Sequence, residues 1–180
     1  MEQVRVQYAI IAGIAFLAAC AWMYALPGAY SLVPVFGIRM LMYVCAIVTY
    51  IASFIVHLEG YVYLGQRMES NALLISARSI MGCLVFFMLA LLASIFSDIE
   101  HEEAVDFLNG IVGISVALLA VPSLVFAISL GKMYKRFGPL ALICALLTPI
   151  MILTMWRPWA AALVVALSVY FLSRVSNTRF

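Results

Sequence analysis

Long apolar runs alternate with short polar interruptions along this chain. The runs cover residues 7–26, 39–56, 79–96, 107–130, 137–155 and 159–172. A membrane-spanning helix needs about 17–25 mostly apolar residues, so the first four runs predict transmembrane helices outright. The last two are shorter and meet at Trp156-Arg157-Pro158. At about 1.5 Å per residue, residues 159–172 reach roughly 21 Å, against a hydrocarbon core of about 30 Å. Proline suits the first turn of a helix. Arg157 can extend its head group to the interface, where Trp156 and Trp159 also belong. A tight hairpin of two spans is the expected arrangement. The competing reading is a re-entrant or interfacial segment.

The interruptions are short. Pro27-Gly28 is expected to close the first span. The longest gap, Leu58 to Arg78, places Leu64, Met68, Ala72 and Ile75 at helical spacing, so it reads as an interfacial helix or as an extension of the flanking spans. No internal repeat stands out. The pattern as a whole predicts an all-α integral membrane protein: a single transmembrane domain over 1–180, folded as a compact bundle of about six transmembrane helices with short loops.

Composition strengthens this reading. The chain is 67% hydrophobic and 10% charged, whereas a soluble domain is about 45–50% apolar and about 25% charged. A soluble globular domain and a disordered chain are both excluded. Leu17-Ala18-Ala19-Cys20 resembles a lipoprotein cleavage box, but Trp22, Met23, Tyr24 and Leu26 continue the apolar run past it. The segment is therefore expected to remain as a span. Cys20, Cys45, Cys83 and Cys144 all lie within apolar runs without CxxC spacing and are expected to act as small hydrophobes.

Charge predicts orientation. With the N-terminus in the cytoplasm, Arg5, Arg67, Arg78, Lys132, Lys135, Arg136, Arg174 and Arg179 fall on the cytoplasmic side. Arg39 and Arg157 are the two basic residues left outside. This bias follows the positive-inside rule. The expected location is the plasma membrane (in bacteria, the inner membrane) with both termini cytoplasmic. Dispersed basic residues and a net charge of +2 give no footprint for nucleic acid.

Candidate chemistry is sparse. In the fourth run Asp106, Asn109, Gly110, Gly113, Ala117 and Ala120 recur at offsets of three and four. Small residues at that spacing let helices approach closely in lipid. The face is expected to pack within the bundle, or else to form a seam with a partner or a small-solute path that includes Pro122. That proline removes a backbone donor, and Ser115 and Ser123 are at hand to satisfy the freed carbonyl. Arg67, Arg78, Lys132, Lys135 and Arg136 form a basic cytoplasmic rim, a candidate contact for anionic lipid headgroups. His57 and Glu59 are read as the inner end of the second span, where ionisable side chains reach water. Asp98, His101 and Glu102 would share a helix face and bind a divalent cation only weakly; a solvated acidic loop next to a helix N-terminus is the favoured reading.

No HExxH, GxSxG, P-loop or GxGxxG motif occurs. No cofactor is expected. Membrane lipids are expected partners, together with other membrane subunits or a second copy. The leading function is a non-enzymatic accessory or assembly component of a membrane complex. A small oligomeric transporter or channel, and a lipid-headgroup enzyme around His57, Glu59, Arg67 and Arg78, are the rivals.

Overall fold

In a computed structural model, residues 2–30, 36–96, 101–153 and 158–177 are described. Among them, seven helices follow in chain order. They are α1 (Glu2–Tyr30), α2 (Phe36–Arg67), α3 (Asn71–Phe96), α4 (His101–Lys132), the single turn α5 (Tyr134–Phe137), α6 (Pro139–Leu153) and α7 (Pro158–Asn177). No strand occurs among the described residues. Lipid offers the backbone no hydrogen-bond partner, and a helix satisfies its own N–H and C=O groups.

α1 packs on α2 and α7, α3 lies between α2 and α4, and α6 lies between α4 and α7. The chain thus closes a ring of helices. Phe16, Phe126, Phe171, Leu84, Leu130 and Leu172 fill its centre. Ile11, Leu41, Ile75, Val121, Leu146 and Leu163 point outward. Apolar side chains exposed around the whole perimeter are what a lipid-facing surface requires. Among the described residues, five segments are long and apolar enough to cross a membrane: Arg5–Ala25, Leu41–Arg67, Asn71–Ala90, Gly113–Lys132 and Trp159–Ser176.

Several expected boundaries move. α1 runs through Pro27-Gly28 to Tyr30, because a proline in the last turn removes only one donor. α2 continues past Val56 to Arg67, and α3 begins at Asn71 rather than Ser79. The expected loop from Leu58 to Arg78 is therefore two helix ends joined by a tight turn. Of the run 137–155, Phe137 ends α5 and Pro139–Leu153 forms the 15-residue α6. At about 1.5 Å per residue α6 reaches roughly 22 Å, so length among the described residues supports five spans and does not establish the expected sixth. Met155, the far end of that run, lies outside the described residues.

The α2–α3 turn shows how so short a connection closes. Ser70 N–H donates to the Gly65 carbonyl (2.8 Å) and Glu69 N–H to that of Gln66 (3.2 Å). This pair of bonds is a Schellman cap, with Glu69 left-handed at φ 52°. Ser70 then starts α3, its Oγ accepting from Leu73 N–H at 3.4 Å. A side chain at positive φ costs about 1 kcal/mol against glycine. Glu69→Gly is therefore expected to raise the melting temperature in detergent by about 2–4 °C. A lower melting temperature would show that the Glu69 side chain contributes more than its backbone loses.

The turn between α4 and α6 repeats a local pattern. Leu64-Gly65 ends α2 and Leu130-Gly131 ends α4, and both leucines are fully buried. Both turns lie at one end of the bundle, where Arg136 Nη1 reaches Met68 Sδ at 3.4 Å.

Candidate functional site

His57 is the clearest departure from the sequence reading. It does not end a span at the interface. It is 1% exposed, ten residues before Arg67 in α2, about 15 Å along the helix. The ring faces inward because Gly13 of α1 gives it room; a Cβ there would lie 2.8 Å from His57 Nδ1. Nδ1 is 2.8 Å from the carbonyl of Ala9 in α1, and Nε2 is 2.7 Å from Ser168 Oγ in α7. A carbonyl only accepts, so Nδ1 carries the proton and donates to Ala9. In the neutral ring Nε2 then accepts from Ser168. The Tyr61 hydroxyl also bonds Ser168 Oγ. With the serine proton already given to His57, Tyr61 is the donor. The chain Tyr61 to Ser168 to His57 to Ala9 ties α1, α2 and α7 together.

Aromatic rings surround this chain. Tyr61 meets Phe126 edge-on at 5.0 Å between centroids and stacks on Phe171 at 6.3 Å. A cavity of about 20 Å³ lies beside His57 and Ser168, walled by Phe54, Phe126, Cys144 and Thr148. About 10–15 Å³ holds one water, so the space admits a water and no larger solute. Glu59, two residues on, is exposed. The step of two positions turns the side chains to different faces, so His57 and Glu59 form no common site. The available sequence signal was the His57 and Tyr61 spacing of four, which places both on one helix face. Nothing local marks Ser168.

α4 presents two faces. Ser115, Leu119, Ser123, Phe126 and Leu130 are buried. Gly110, Gly113 and Ala117 are exposed, and a Cβ at either glycine would meet nothing within 4 Å. The small-residue stripe therefore points away from the bundle rather than into it. Asn109 lies on α4 one residue before Gly110, and Pro122 is half-buried. Ser123 Oγ donates to the Ala120 carbonyl at 2.9 Å, which is not the Leu118 carbonyl that Pro122 frees. Ser115 Oγ is buried without a hydrogen-bond partner.

At the turn end, Lys132, Lys135 and Arg136 line a pocket of about 320 Å³ with Met68, Ser70 and Met133. Arg67 and Arg78 are exposed and stand outside it. Asp98 lies outside the described residues, while His101 and Glu102 open α4. Among the described residues, no three His, Cys, Asp or Glu side chains are grouped to hold a metal ion. No protein-family model, curated protein or solved structure matches the chain.

Proposed function

We propose that the chain is a non-enzymatic accessory or assembly component of a membrane complex, and that the outer face of α4 holds its partner. The observation that carries this reading is the outward stripe of Gly110, Gly113 and Ala117, with open space over both glycines. Helices in lipid gain little from hiding apolar surface, because lipid tails are equally apolar. They associate where small residues let backbones come close. A partner helix laid on this stripe would gain that contact. The transporter reading has less support: the interior beside His57 has room for one water, and the stripe faces outward.

In the same reading, α6 completes a sixth crossing by local thinning of the bilayer. The turn end, which carries Arg67, Lys132, Lys135 and Arg136, faces the cytoplasm of a plasma membrane. Both termini then lie on the cytoplasmic side.

Gly113→Leu tests the seam. The site is open, and leucine is about 1 kcal/mol better than glycine in a helix, so the bundle itself should hold. Native mass spectrometry straight from the source membrane should show a complex for the wild type and its loss in the variant. A wild-type chain that runs as a bare monomer, or a complex that survives the substitution intact, would sink the proposal.

A further inference from the structure

We propose that the pocket between the two Leu-Gly turns binds the phosphate of an anionic glycerophospholipid. This inference stands apart from the α4 seam and rests on different residues. The pocket is walled on one side by the α2–α3 turn and on the other by the end of α4 with α5. Its volume, about 320 Å³, is at the lower end of the usual range for small-ligand sites, about 300–1,000 Å³.

Three cations converge there from a five-residue stretch. Lys132 ends α4, and Lys135 and Arg136 lie in α5. α3 begins at the opposite wall, so its first N–H groups add partial positive charge toward the same space. Among the described residues, no acidic side chain lines the pocket. Nη1 of Arg136 lies 3.4 Å from Met68 Sδ, and the planar guanidinium fork suits a phosphate.

Met68, Ala72 and Met133 add apolar lining beside Ser70 and Ser129. That mixture separates a lipid from a free anion. Inorganic phosphate has no use for two methionines, whereas the glycerol and first acyl carbons of a lipid would lie against them as the phosphate meets the cations. The position agrees, because the pocket sits at the end of apolar helices, at headgroup depth. Arg67 and Arg78 lie outside the pocket and form no part of its lining.

The test uses the purified full chain in detergent with dioctanoyl phosphatidylglycerol, dioctanoyl phosphatidylcholine and inorganic phosphate as separate probes. Bound adducts are read by native mass spectrometry. Phosphatidylglycerol should be retained in preference to phosphatidylcholine. The triple variant Lys132→Gln, Lys135→Gln, Arg136→Gln should lose that retention by on the order of a hundredfold. A control with the same charge change, Arg67→Gln, Arg78→Gln, Arg174→Gln, should stay within a few-fold of wild type. All six side chains are exposed, so both variants should fold. Equal losses in the two triples would replace the site with a diffuse surface charge. Equal retention of phosphatidylcholine, which carries the same phosphate but no net charge, would overturn the assignment to an anionic lipid. Inorganic phosphate that binds as tightly as the lipid and displaces it would overturn the lipid assignment.

Discussion

Gly13→Ala is expected to destabilise the bundle by about 1–2 kcal/mol, although alanine is the better helix former by about 1 kcal/mol. The two effects oppose each other, and the neighbours decide which wins. A methyl group at position 13 would overlap Val169 Cγ2 and lie 2.8 Å from His57 Nδ1 and 3.1 Å from its Cε1. Neither neighbour yields easily. Valine in a helix has one strongly preferred rotamer, and the imidazole is held by a bond at each nitrogen. Relief therefore means moving α7 away from α1 or turning His57 off Ala9. Gly82 is the control, since a Cβ there meets nothing within 4 Å, and Gly82→Ala should be neutral or stabilising. Thermal melting of both variants in detergent checks the pair. A Gly13→Ala protein that melts at or above the wild type would show that the α1–α7 approach is not fixed by that glycine.

His57→Ala should be more damaging, at about 3–5 kcal/mol, the usual range for emptying an aromatic-sized core position. Packing is the larger part. Interhelical hydrogen bonds in membrane proteins average about 0.6 kcal/mol and reach about 1.7, so the bonds to Ala9 and Ser168 together contribute about a third. The distinction is measurable. His57→Leu keeps most of the volume and removes the bonds, and should lose only about 1–2 kcal/mol. Adding Ser168→Ala and Tyr61→Phe to His57→Leu should restore part of that loss, because no polar group is then left without a partner. If His57→Leu proved as harmful as His57→Ala, the hydrogen bonds would outweigh the packing.

The membrane class, the helical runs and the basic turns were legible in the sequence because each is a property of a contiguous stretch. The direction in which a side chain points was not. α4 is apolar all round, so its hydrophobicity does not say which face looks inward; its glycines, expected within the bundle, lie outside it. His57 misled for a related reason. A histidine followed two residues later by Glu59 looks like the end of an apolar run, yet Tyr61, Val62 and Leu64 carry the buried face onward. Its partners come from two other helices, and no local pattern announces them. The pocket at the turn end was half legible. Five basic residues stand out along the chain, and folding gathers three of them opposite Ser70.

The bond between His57 and Ser168 joins residues 111 positions apart. At translation rates of about 5–20 residues per second, that separation corresponds to roughly 6–22 s of synthesis. Ala9 reaches the membrane before His57 does, so one nitrogen of the ring can be occupied early. The other nitrogen, and the Tyr61 hydroxyl beside it, must wait in lipid for the last helix. During that interval the nascent bundle displays a polar edge that the finished protein hides. A chain cut short before α7 would keep the edge on view, a ready mark by which a membrane chaperone or protease could tell an unfinished molecule from a complete one.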